Sequence, residues 1–249
     1  MSAVVIGGSG EIGAAICAAL ADAGHDVAVH WHTSRAGAER AAEGVARAGR
    51  RAHLVQASLA DCAAGELDRA LAALFEQAAA VLGPVDVVVL AAANQEIIGW
   101  NELTTQSWDR VMAGGLRHTA AAIWTAGRRM DGGVIVAVGS IEGLRPARGH
   151  AAYAVGKAAV HHLVAAAAWE LGRHGIRVVG VAPGLVDRDG LEEQWPEGVR
   201  RWQAATALGR MVTATEVADV VGFLVSAAAS GITGVTVPVD AGWSAGPGW

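Results

Sequence analysis

Short runs of aliphatic and β-branched residues alternate along the chain with longer Ala-rich stretches whose apolar positions recur at helical spacing. The runs 3–7, 26–31, 52–56, 85–90, 133–139, 177–182 and 235–239 read as strands. Most are almost continuously hydrophobic, as parallel strands covered on both faces must be. Between them, 11–23, 36–48, 65–82, 107–129, 151–173 and 215–228 read as helices. Several open near Ser or Thr, or close near Gly. This repeated alternation predicts an α/β fold: a doubly wound parallel sheet of about seven strands with helices on both faces. No linker, charge block or repeat divides the chain, so residues 1–249 are expected to form a single domain.

Composition narrows the function classes. The chain is 53% hydrophobic and 17% charged, with a formal charge of −5. A large core is within reach, and no basic run offers a face to nucleic acid or to an anionic membrane. The apolar runs fall far short of the roughly 20 residues needed to span a bilayer. Cys17 and Cys62 make neither a disulfide framework nor a metal-ligand spacing, so no metal is expected. Reduced thiols and the lack of a basic leader before the first strand predict a cytoplasmic protein.

In such a sheet, ligands bind beyond the carboxyl ends of the strands, so the loops there carry the chemistry. The first strand runs into Gly7-Gly8-Ser9-Gly10-Glu11-Ile12-Gly13 and then a helix. Gly8, Gly10 and Gly13 match G-x-G-x-x-G in the strand-to-helix context of a dinucleotide site. Glycine admits a pyrophosphate to the backbone, and the helix N-terminus offers it free N–H groups. Glu11 is at odds with this: it complements the helix dipole but repels a phosphate unless it turns into solvent.

The second strand ends in His30-Trp31-His32-Thr33-Ser34-Arg35, without the carboxylate that an NAD site places near the ribose. His32, Thr33, Ser34 and Arg35 suit a 2′-phosphate, which favours NADP(H) over NAD(H). The competing reading is a helix N-cap at Thr33 or Ser34 beside a solvated Arg35.

The chain has one tyrosine, Tyr153, and one lysine, Lys157, four residues apart in a helical stretch. Positions i and i+4 share a helix face. An ammonium beside the phenol is expected to lower its pKa towards the range useful for proton transfer near neutrality. Ser140, at the end of the fifth strand, is placed to reach the same oxygen. The alternative is a buried Tyr capped by Lys, with no chemistry.

These residues resemble the short-chain dehydrogenase/reductase family along the whole chain, which implies a Rossmann-like sheet. Gly7, Gly13, Ser140, Tyr153 and Lys157 match its pattern, and Leu208-Gly209-Arg210-Met211 and Asp240-Ala241-Gly242-Trp243 resemble its C-terminal signature. The resemblance implies catalytic roles for Ser140, Tyr153 and Lys157. It implies cofactor contacts at Gly7, Ser9, Gly10, Ile12, Gly13, His32, Thr33, Ser34, Arg35, Ser58, Leu59, Ala91, Ala92, Lys157, Pro183, Gly184, Val186 and Arg188. Several of these depart from the family: Glu11 stands for a glycine, Ser58 for an adenine-contacting Asp, and Leu90-Ala91-Ala92-Ala93 for Asn-Asn-Ala-Gly. Gly115 stands for the Asn of the proton relay, and Arg188 for the Thr that holds the carboxamide.

The implied reaction is NADPH-dependent reduction of a ketone, or oxidation of the corresponding alcohol, with Tyr153 as general acid. Residues 185–207 are expected to cover a small-molecule substrate. Trp195 and Trp202, joined by Trp100, Trp243 and Trp249, offer flat surfaces for a polycyclic or aromatic one, with Glu142 and His150 as further contacts. Against this, most of the nine Trp are expected in the core or at subunit interfaces. The alternatives are a non-redox dehydratase, isomerase or cyclase using the same acid/base pair, and a catalytically silent partner. By the same resemblance a homo-oligomer, tetramer or dimer, is expected through the helices at 107–129 and 151–173.

Overall fold

The computed structural model describes residues 1–246, so Trp249 lies outside the described residues. Seven parallel strands form one sheet: β1 (Ser2–Ile6), β2 (Asp26–Trp31), β3 (Ala52–Gln56), β4 (Val85–Leu90), β5 (Gly133–Val138), β6 (Ile176–Pro183) and β7 (Thr236–Val239). Their spatial order is β3-β2-β1-β4-β5-β6-β7. The order reverses between β1 and β4, which opens a crevice at the carboxyl ends of those strands. Helices α1 (Glu11–Asp22), α2 (Arg35–Arg47) and α3 (Ala64–Leu82) follow the first three strands. Later come α4 (Thr105–Met112), α5 (His118–Gly127), α6 (Ala151–Leu171), α7 (Leu191–Gln194), α8 (Pro196–Ala205) and α9 (Ala214–Val225).

The near-continuous hydrophobicity of the strands has the expected cause. In β1, Val4 and Ile6 enter one core with residues of α3, α5 and α6, while Ala3 and Val5 enter the other with α1, α2 and α9. Both faces are therefore dry, and the result is a single Rossmann-like domain.

Three observations modify or add to these expectations. The predicted helix 107–129 is not continuous, because α4 and α5 are separated by a π-turn at Ala113–Arg117. Gly114 and Gly115 are weak helix formers. The His118 ring and the Thr119 hydroxyl take the carbonyls of Ala113 and Gly115, which helps hold the wider turn. Second, residues 185–207 contain α7 and α8, with Pro196 opening α8 at the position where a missing N–H costs nothing. Third, no Trp among the described residues is fully buried. Ala, Val, Leu and Ile fill the core instead, leaving Trp100 and Trp169 78% and 87% exposed. No helix among the described residues is long and apolar enough to cross a membrane.

Candidate active site

The glycine loop closes the carboxyl end of β1. Gly7 has φ +85°, and a Cβ there would come within 2.8 Å of the Ala92 Cα. A Cβ on Gly13 would overlap the Gly7 carbonyl oxygen. These positions let α1 start directly over the strand end, with Ala91 and Ala92 forming the adjacent wall. Gly10 is the N-cap, without a side-chain cap bond. The N–H groups of Glu11, Ile12 and Gly13 have no backbone partner among the described residues, which leaves them free for an anion. Residues and shape fit a dinucleotide pyrophosphate.

The electrostatics fit less well. Glu11, Asp187, Asp189, Glu192 and Glu193 line a cleft of about 300 Å³ beside this loop, with Arg188 as its one cation. Partial burial raises the Glu11 pKa, Arg188 opposes that rise, and Asp189 and Asp187 add to it. Glu11 is exposed yet lines this cleft, and Arg188 stands where it offsets the carboxylates.

One loop residue was not singled out from sequence. His30, in β2, is 3% exposed. Its Nδ1 accepts the Gly7 N–H at 3.1 Å, and its Nε2 lies 3.1 Å from the Ala57 carbonyl. Nε2 must therefore carry the proton. Burial pushes its pKa down to about 4, so the ring stays neutral and ties the glycine loop to the end of β3. A histidine near the end of an otherwise apolar strand was the available signal.

At the ribose end, Ser34 is the N-cap of α2, its Oγ accepting the Gly37 N–H. Arg35 is exposed and donates to Glu39 at 2.8 Å. Thr33 is exposed, and His32 lies 3.7 Å from Asp61. Ser58, which departs from the family pattern, donates to the same Asp61 carboxylate at 3.1 Å. The Leu59 side chain is core, 4% exposed and packed with that of Leu71.

Ser140, Tyr153 and Lys157 meet beyond the ends of β4 and β5. Tyr153 packs with Val111 and Ala152, and the Lys157 Nζ lies 5.6 Å from the centre of its ring. The ammonium donates to the Val138 carbonyl at 2.7 Å. Ser140 accepts the Glu142 N–H and lies close enough to the phenol to work against the rise in its pKa.

The expected lowering of the phenol pKa is overturned. Burial pushes Tyr153 up to about 12, Ser140 works against the rise, and Glu142 adds to it. Lys157 is itself pushed down to about 8 by burial. Two adjacent buried groups each lose the charged form that water would stabilise. The phenol is thus held protonated, the state of a proton donor.

Two further predicted residues join this cluster. The His150 Nδ1 lies 2.8 and 2.9 Å from the two Glu142 oxygens, and its ring meets that of Tyr153 edge-on at 6.2 Å. Beyond β6, the Pro183-Gly184 turn packs under Trp202, and Val186 bridges to Val212. Trp202 stacks on Trp243 at 5.3 Å with Arg145 over the outer face. Together with Trp195 these rings line a cleft of about 530 Å³.

Relatives match nearly the whole chain. A family model described as enoyl-(acyl carrier protein) reductase matches residues 8–244. The chain is 36% identical over 248 residues to cis-4-hydroxycyclohexanecarboxylate dehydrogenase of Sinomonas cyclohexanicum, covering 98% of this chain and 96% of that protein. It is 37% identical over 252 residues to galactitol 2-dehydrogenase of Rhizobium johnstonii, covering 97% and 94%. A short-chain dehydrogenase/reductase from Serratia marcescens superposes with a TM-score of 0.89 at 34% identity, over 98% of this chain and 97% of that one. With the glycine loop, the Ser140–Tyr153–Lys157 cluster and these relatives in agreement, the chain belongs to the short-chain dehydrogenase/reductase family, an oxidoreductase that works with a nicotinamide dinucleotide on alcohol and carbonyl groups.

Proposed function

We propose that the protein reduces a cyclic ketone with NADPH, and in reverse oxidises the alcohol, with Tyr153 as the proton donor. The observation that carries this reading is a buried phenol, held protonated, with the Lys157 ammonium 5.6 Å from its ring and Ser140 beside it. When bound, the cofactor supplies a hydride to the carbonyl carbon. Ser140 steadies the carbonyl oxygen, and Tyr153 gives it a proton as negative charge develops. Lys157 holds its charge against the ring face and returns a proton to the phenolate. Gly7, Ser9, Gly10, Ile12 and Gly13 present backbone to the pyrophosphate, Ala91, Ala92, Pro183, Gly184 and Val186 frame the nicotinamide, and Arg188 reaches a phosphate.

Residues 185–207 cover the substrate, and Trp195, Trp202 and Trp243 give its ring a flat apolar surface. The Glu142–His150 pair, beside Tyr153, leaves the His150 Nε2 to face a polar substituent. A ring alcohol is also what the name of the Sinomonas relative describes. The test is NADPH oxidation with 4-oxocyclohexanecarboxylate, cyclohexanone and an open-chain ketone of equal size. Turnover of the cyclic ketones is expected, and no turnover of any of the three would overturn the reading.

NADPH is favoured because the end of β2 presents His32, Thr33 and Arg35. Arg35 has to exchange its Glu39 partner for the 2′-phosphate. Arg35→Ala is expected to raise the KM for NADPH by about tenfold and leave that for NADH unchanged, the loss of a charged hydrogen bond. An equal effect on both cofactors would remove the preference.

Glu11→Gln is expected to tighten NADPH binding by about two- to fivefold at low salt, because one carboxylate fewer faces the pyrophosphate. Fluorescence titration at about 1 M salt should show the gain disappear, since the Debye length there is only about 3 Å. Assembly as a tetramer or dimer would cover Trp124 on α5 and Val155 and Trp169 on α6, all exposed in the single chain.

A further inference from the structure

Helix α6 carries Tyr153, Lys157 and His161 at successive i+4 positions, which share one face of the helix. The first two belong to the cluster beside Ser140. His161 lies one turn further, and its Nε2 is 3.4 Å from the Ser140 backbone nitrogen. The amide is the donor, so Nε2 is the bare nitrogen of the ring and Nδ1 carries the proton. Among the described residues this ring is the acceptor that the Ser140 amide meets.

The neighbouring glycines make room for the imidazole. A Cβ on Gly139 would overlap the His161 Nε2 and come within 2.7 Å of its Cδ2, and one on Gly143 would come within 2.8 Å of its Cε1. The ring is thus wedged against the backbone on either side of Ser140. Burial and the charge of Lys157 both lower the His161 pKa, which keeps the ring neutral and able to accept.

Three successive residues at the end of β5 are pinned in this way. The Val138 carbonyl accepts the Lys157 Nζ at 2.7 Å, the Gly139 N–H donates to the Val181 carbonyl at 2.7 Å, and the Ser140 N–H donates to His161. The Ser140 Oγ accepts the Glu142 N–H at 3.1 Å, so the hydroxyl keeps its own proton to give.

We infer that His161 is a positioning residue for Ser140: its Nε2 accepts the Ser140 N–H and holds the residue so that its hydroxyl reaches the substrate oxygen. A serine just past a strand end turns with its own backbone torsions, and a bond to its amide fixes them where the chain leaves β5. The inference rests on the reading above in which Ser140 steadies the carbonyl oxygen.

The first test needs no turnover. In the full chain, ¹⁵N NMR is expected to show the His161 ring as the Nδ1–H tautomer, and an Nε2–H tautomer overturns the inference. His161→Leu is expected to speed deuterium exchange of the Ser140 amide about tenfold or more, while that of Gly139, which keeps its Val181 partner, stays within about threefold. A Ser140 amide that speeds up no more than that of Gly139 overturns the inference. In the second test, His161→Leu is expected to lower kcat for cyclohexanone about five- to tenfold, the scale of one hydrogen bond, with the KM for NADPH within about twofold. His161→Gln, whose amide oxygen is an acceptor, should restore most of the rate. In a Ser140→Ala background, His161→Leu should cost less than about twofold more, because the ring acts through Ser140. Equal kcat for the Leu and Gln variants, or a full loss that persists without the Ser140 hydroxyl, overturns the inference. Should no ketone turn over, the redox reading fails, while tautomer and exchange still decide whether His161 holds Ser140.

Discussion

Tyr153→Phe is expected to lower kcat for ketone reduction by about 10²–10⁴-fold, the usual contribution of a positioned general acid. Structure and cofactor binding should survive. The substitution deletes one hydroxyl and keeps the ring that packs with Val111 and Ala152. Stopped-flow measurement of NADPH oxidation, with thermal unfolding as a control, gives the answer. Turnover within a few-fold of the parent would remove the phenol from the mechanism.

The parent enzyme should also show a pH dependence with a defined sign. With Tyr153 near 12, the donor stays protonated throughout the neutral range, so the first group to fail on raising the pH is Lys157, near 8. Reduction is expected to slow as pH rises through about 8. Stability moves the other way over the next two units. The folded Lys157 holds fewer protons than the unfolded one between about 8 and the ordinary lysine value of 10.5, so folding gains with pH in that window.

The second large effect is expected at Gly13. Helix propensity alone says that Ala at this position in α1 should stabilise the protein by about 1 kcal/mol. The contact argues the reverse, because the new Cβ would overlap the Gly7 carbonyl at a point where neither backbone can yield without moving the loop. The steric effect should win, with a net loss of about 1–3 kcal/mol, as for overpacking. NADPH binding by fluorescence titration should be lost with it, since the same displacement removes the free N–H groups from the pyrophosphate site. A higher melting temperature for Gly13→Ala would show that the loop gives way more easily than this geometry allows.

Much of the site was legible because its chemistry is local. Gly7 to Gly13 is one turn between a strand and a helix, and Tyr153 with Lys157 is a single helical spacing, so order along the chain carries the geometry. His30 was not legible in the same way. It owes its role to an N–H and a carbonyl brought from elsewhere, those of Gly7 and Ala57. Ser58 looked like a loss at the adenine site, and only the fold shows the Asp61 carboxylate beside its hydroxyl. The helix at 107–129 looked continuous because periodicity is insensitive to one added residue, whereas the π-turn depends on side chains that cap its carbonyls.

The amino-acid order by itself determined the layered α/β architecture, the dinucleotide loop and the identity of the phenol and the ammonium. Hydrophobic period, glycine placement and helical spacing are properties of neighbours in the chain. Folding decided which way the pKa values move. Spacing puts a cation beside a phenol, but only the packing shows how much water each has lost. In this protein desolvation outweighs their attraction, lifting Tyr153 and lowering Lys157.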